Sequence, residues 1–221
     1  MLMCLKKVSN IVSLGVRNIQ KRSRYWPTLT LAFIISFAVV YAGQLLIDGS
    51  LSRDAGYQTA TMVKNIVGNG SVVFSWLFHS THAHFIENLA IFFLTGWWVE
   101  NRVDDDRFIL GIAVVLGIGA NVAAALIFRV PGAGISGITT GLGLMIALGA
   151  FEGLFDSTVR LIKAIPEFTL SVLFVLWSVG GLGQLPAGTA VEVHILGAVL
   201  GGAWYATEKI RYDFGPHQLR I

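Results

Sequence analysis

The sequence predicts an all-α membrane protein: six transmembrane helices in one bundle, with a partly embedded loop after the first. Three observations carry this. The 221 residues are 54% hydrophobic and only 13% charged, with a mean hydropathy of +0.69; a soluble domain of that length carries about twice that charged fraction. Apolar stretches near the roughly 20 residues needed to cross hydrocarbon recur along the chain. The few polar groups inside those stretches fall near the starts of three of them.

The lone cysteine, Cys4, excludes an internal disulfide. No linker, low-complexity tract or repeat divides the chain. It reads as one membrane domain, 27–207, between a basic N-terminal segment, 1–26, and a C-terminal tail, 208–221. In the N-terminal segment, Val8, Ile11, Val12 and Ile19 lie among basic residues. That pattern fits a helix lying on the inner leaflet and a disordered basic tail equally well. Pro27 to Leu46 is a charge-free first span. Its length and late start mark it as a retained helix rather than a signal peptide. Ile66 to Val99 is too long for one crossing and holds His79, His82, His84, Glu87 and Asn88. It divides into a partly embedded loop, up to about residue 81, and a second span over 82–100. Phe108 to Phe128, Ser136 to Phe151, Phe168 to Leu185 and Val193 to Ala206 give the remaining four, the fourth and sixth being short.

Six spans leave both termini on one side. Thirteen Lys and Arg, from Lys6 to Arg220, fall there, against Arg53, Lys64 and Arg129 opposite. That bias places both termini in the cytoplasm of a cell membrane. It also assigns the net charge of +3 to membrane topology rather than to a nucleic-acid partner.

Spans two, four and six then run inward, and each ends at a charge that should mark the inner interface: Glu100, Glu152 and Glu208-Lys209. His84 lies 16 residues before Glu100, Ser136 lies 16 before Glu152, and His194 lies 15 before Lys209. All three therefore sit roughly 22–24 Å above the inner boundary, a little below the outer surface of a ~30 Å core. Polar groups at such depth face a bundle interior or a water-filled cavity. Pro131-Gly132-Ala133-Gly134 reads as irregular backbone dipping into the bundle, tolerated only where protein or cavity water satisfies it.

A serine hydroxyl becomes nucleophilic when a base takes its proton, and His194 titrates in the right range for that role. Ser136, in Gly134-Ile135-Ser136-Gly137, opens a helix whose first amides lack helical partners and can hold an oxyanion. His84 and Asn88 share a helix face, both able to donate toward one oxygen. No carboxylate occupies an obvious third position; Glu192 is expected to face outer water and Glu87 to pair within the bundle or line the cavity. The bland readings stand beside these. Gly137, Gly141, Gly197 and Gly201 are the small residues of ordinary helix packing, though such packing brings helices four and six together. A lone intramembrane histidine also serves as a structural hydrogen-bonder or proton relay. His79 and His82 read as loop-packing residues, and the His79, His82, His84 spacing matches no closed metal motif. No metal or other cofactor is expected.

Together these residues resemble the rhomboid family of intramembrane serine proteases. His79, His84 and Asn88, with Gly96 and Glu100, match the family's second helix. Gly134-Ile135-Ser136-Gly137 with Gly141 matches the nucleophile motif, and His194, Gly197 and Gly201 match the last helix. The resemblance implies a six-helix rhomboid-like bundle with Ser136 as nucleophile and His194 as general base. It further implies an oxyanion hole of His84, Asn88 and the Ser136 amide. The implied substrate is another protein's transmembrane segment, cut near the outer face. Three departures stand out. Thr140 replaces the aromatic residue that stacks on the catalytic histidine, so Thr140→Tyr or Phe is expected to raise turnover or leave it unchanged. The first loop has no Trp-Arg pair, and Glu87 replaces an apolar residue. The alternative is a catalytically inactive rhomboid-like protein that binds membrane clients. A transporter reading lacks the inverted repeat it calls for. The oligomeric state has no signature in the sequence.

Overall fold

A computed structural model describes residues 27–48, 71–79, 82–100, 106–129, 134–155, 158–180 and 190–212. The N-terminal segment, most of the first loop, Pro131-Gly132-Ala133 and the end of the tail lie outside the described residues. Those described are helical apart from turns and short extended stretches. They form α1 (Thr28–Asp48), the single turn α2 (Ser71–Phe74) followed by a 3₁₀ turn (Ser75–Leu77), and α3 (His82–Glu100). The chain continues through α4 (Asp106–Phe128), α5 (Ser136–Gly153), α6 (Thr158–Ser178) and α7 (Val191–Tyr212).

α5 is the centre of the bundle. Its residues 136–143 are all buried, the pattern of a helix apolar on every side, and α3, α4, α6 and α7 pack around it. α1 lies outside, against α3. Its inward face supplies Phe37, which meets Phe92 edge-on at 5.6 Å and Trp76 at 5.7 Å. Edge-to-face pairs of this kind add about 0.5–1.5 kcal/mol each beyond the area they bury. Trp76, on the 3₁₀ turn, lies so close to α4 that a Cβ on Gly117 would stand 2.9 Å from its ring. The described end of the first loop is therefore packed into the bundle, not draped over it.

Two sequence expectations meet differences here. Among the described residues, Thr28–Leu46 and Leu110–Phe128 are long and apolar enough to cross a membrane by composition, and Ser136–Glu152 and Ala164–Ser178 are shorter apolar runs. The fifth helix, expected at Phe168 to Leu185, instead begins at Thr158 and ends at Ser178. Counting apolar residues missed its early turns and Pro166, and Gly180, at φ 79°, closes it. α7 continues through Glu208-Lys209 to Tyr212. Glu87, expected inside the bundle or along a cavity, is exposed between exposed Ile86 and Ala90.

Glu100, expected to mark the inner interface, also has a structural task. Its carboxylate is buried and accepts hydrogen bonds from the Leu29 amide at 2.9 Å and the Thr30 amide at 2.8 Å. The Thr28 and Thr30 hydroxyls donate to it as well. Those amides belong to the first turn of α1, where no helical acceptor exists. A carboxylate there also complements the positive end of the helix dipole. Gly96, one turn earlier on α3, admits the Thr30 side chain, since a Cβ there would stand 2.9 Å from it.

Candidate active site

Ser136 is the first residue of α5, and the chain reaches it through Gly134 at φ 94°. A Cβ on Gly134 would stand 3.2 Å from His79 Cδ2 and 3.3 Å from Asn88 Nδ2. Glycine is needed twice over, for the left-handed backbone and for this close approach. The Gly134 amide donates to the Ser75 carbonyl at 3.2 Å, and the Thr139 amide closes the first turn onto the Ile135 carbonyl at 3.0 Å. The amides of Ser136, Gly137 and Ile138 thus precede the first helical acceptor. The Thr139 and Thr140 hydroxyls both turn back to the Ser136 carbonyl, at 2.9 and 2.8 Å.

α5 and α7 touch backbone to backbone. A Cβ on Gly141 would stand 2.7 Å from the Gly197 carbonyl oxygen, and one on Gly197 or Gly201 would overlap the backbone of Gly137 or Gly141. The pairs 137–197 and 141–201 keep one offset, so the helices run parallel. Gly137 also faces Val193, 3.0 Å from where its Cβ would be, so its level lies midway between Val193 and Gly197. Ser136, one residue earlier, is then level with His194. Both are buried. Among the described residues, no hydrogen bond joins the Ser136 hydroxyl to the His194 ring.

The ring is held from elsewhere. His194 Nδ1 lies 2.5 Å from the carbonyl oxygen of Ser178, the last residue of α6. Sequence reasoning missed this partner. The fifth span was expected to run on to Leu185, and a backbone acceptor has no residue type to reveal it.

On the other side, α3 supplies His84 and Asn88. Asn88 is buried, and its Nδ2 donor has no hydrogen-bond partner among the described residues. His84 and His194 lie within electrostatic reach of one another. His84 also meets His79 ring to ring at 5.6 Å.

His79 is a packing residue. Gln44 of α1 grips its backbone on both sides, donating to its carbonyl at 2.7 Å and accepting from its amide at 3.2 Å. Phe85 and Tyr41 box in the ring. Burial lowers its pKa to about 3, with the nearby His84 acting in the same direction and the Leu77 carbonyl opposing both. His79 is therefore neutral at physiological pH. The Tyr41 hydroxyl lies 2.5 Å from His82 Nδ1, and its ring stacks on Phe85 at 3.9 Å. Tyr41 and Gln44, three apart in an otherwise apolar span, were a legible signal that α1 braces this corner.

Thr140 is fully buried. A ring at this position requires its neighbours to move, which sets a steric cost against the stacking gain expected of Thr140→Tyr or Phe.

A buried serine and histidine on adjacent parallel helices, beside a buried amide donor without a partner, define a helical bundle with a serine-centred polar site. The Rhomboid domain family profile matches residues 69–209, more than half of the chain. The chain belongs to the rhomboid family, whose members are integral membrane proteins and typically serine proteases acting on transmembrane substrates. Comparison with characterised proteins yields no match.

Proposed function

We propose that this chain is an active intramembrane serine protease, with six spans, a partly embedded first loop and both termini in the cytoplasm. The observation that carries this reading is the backbone contact of Gly137 with Gly197 and Gly141 with Gly201, which puts Ser136 level with His194. In this mechanism Ser136 Oγ attacks the scissile carbonyl while His194 Nε2 takes its proton. The Asn88 Nδ2 donor, His84 and the Ser136 amide receive the developing oxyanion. As the C–N bond breaks, His194 returns the proton to the leaving amine. Water, deprotonated by the same histidine, then hydrolyses the acyl-enzyme. The substrate is a transmembrane segment of another protein, unwound near the outer face, because a helical peptide bond is not presented for attack. Glycine or proline near the cut makes that unwinding easier.

The second reading, an inactive relative that binds membrane clients, is compatible with the same fold and family. Apo sites of this kind tighten only when substrate is bound, so the distinction is experimental. Cleavage of a single-pass substrate in reconstituted vesicles is expected from the wild type and not from Ser136→Ala or His194→Ala. Equal labelling of wild type and Ser136→Ala by a fluorophosphonate probe would refute Ser136 as nucleophile.

A further inference from the structure

We propose that the C-terminal carbonyl of α6, at Ser178, takes the place of the missing third carboxylate and positions His194 for catalysis. This rests on the protease reading of the Ser136 site.

The chemistry of the contact decides the ring's protonation. A carbonyl oxygen only accepts, so the His194 Nδ1 atom facing it at 2.5 Å carries the hydrogen. Nε2 then holds the lone pair, the form a general base needs. In serine proteases with a triad, a buried carboxylate selects this tautomer, and losing the selection costs about 10⁴ in turnover.

The last four carbonyls of a helix have no helical donor. At this helix end, the Val179 amide satisfies the Val175 carbonyl and the Gly180 amide satisfies that of Trp177. The Ser178 carbonyl is taken by His194. Gly180, at φ 79°, follows the end of α6. The C-terminal end of a helix also carries partial negative charge, which favours a cation beside it. When His194 accepts the Ser136 proton, the imidazolium forms against that end. A backbone acceptor supplies what a carboxylate would, without burying another full charge.

α6 packs along α5 and, among the described residues, meets α7 only sparingly; this hydrogen bond is one of the contacts that join them. The Ser178 hydroxyl bonds its own helix at Phe174 O, 2.8 Å, and takes no part.

The test uses the full chain with ¹⁵N-labelled histidine, in which His194 is assigned by its loss in His194→Gln. Its neutral ring is expected in the Nδ1–H form. A second protein carries an ester in place of the amide between Ser178 and Val179, which leaves every side chain intact and weakens the Ser178 carbonyl as an acceptor. It also removes the Val179 donor to Val175 O. An ester between Val179 and Gly180, which removes the Gly180 donor to Trp177 O instead, serves as the control for a lost helix-end bond. The His194 signal of the Ser178–Val179 ester is expected to shift toward a mixture of tautomers, and its rate of fluorophosphonate labelling to fall about tenfold. An Nε2–H ring in a chain that labels normally overturns this proposal alone. So does a Ser178–Val179 ester that labels at the wild-type rate with an unchanged tautomer. A wild-type chain that never labels overturns the protease reading, and this proposal with it.

Discussion

Glu100 Oε2 accepts from both the amide and the hydroxyl of Thr30, each at 2.8 Å, across 70 residues of sequence. The carboxylate caps α1 from a neighbouring helix. Removing it leaves the Leu29 and Thr30 amides without an acceptor in a buried corner. Glu100→Ala is expected to cost about 2–4 kcal/mol. Glu100→Gln, which keeps an acceptor but loses the charge, is expected to cost about half as much. Thermal unfolding in detergent ranks the two against wild type. Equal midpoints for all three would show that α1 docks without this cap.

The contact between α5 and α7 leaves no room for a methyl group, because the atoms in the way are backbone. Gly197→Ala must push the helices apart, at a cost of about 1–3 kcal/mol. It also separates Ser136 from His194, and a misplacement near 1 Å lowers the labelling rate about 100-fold. Gly43, on α1, has nothing within 4 Å of a Cβ position. Gly43→Ala is therefore expected to leave labelling unchanged and to stabilise the helix by up to about 1 kcal/mol. Similar behaviour of the two variants would remove the special status of the Gly137–Gly197 contact.

Thr140→Phe separates a steric reading from a stacking one. Full burial and the bond from Thr140 Oγ1 to Ser136 O predict that the ring overpacks α5. The expected result is a loss of about 1–3 kcal/mol in stability, with slower labelling. Faster labelling at unchanged stability would show that the neighbours do make room and that His194 gains from a stacking partner.

What was legible in the sequence is what a residue type can announce. Ser136 and His194 stood out because polar groups are costly among apolar residues, and the glycine spacing on α5 and α7 foretold close packing. The Ser178 carbonyl was not legible, because any residue at that helix end offers the same acceptor. The capping role of Glu100 was not legible, because its partner Thr30 lies 70 residues away on α1. The bounds of α6 were misplaced because apolar counting follows lipid contact, whereas the helix continues through polar turns. Thr140, a departure from the family pattern, shows that a residue type does not reveal where its hydroxyl points, here to the Ser136 carbonyl.

Asn88 offers a prediction in which stability and activity move in opposite directions. Its Nδ2 donor is buried without a partner, a condition that costs a folded protein about 1–3 kcal/mol. Such a cost is retained where the donor has a partner that arrives with substrate. Asn88→Ala abolishes the unsatisfied donor but leaves a cavity beside Gly134, so its stability is expected to match wild type or exceed it slightly. Turnover is expected to fall by about 10²–10³, the usual effect of deleting one oxyanion donor, with KM little changed. Asn88→Asp replaces the donor with an acceptor and is expected to fall at least as far, because a carboxylate repels the oxyanion. A purely structural Asn88 would lose stability and activity together in both variants. Unfolding midpoints measured beside kcat in the same detergent distinguish the two outcomes.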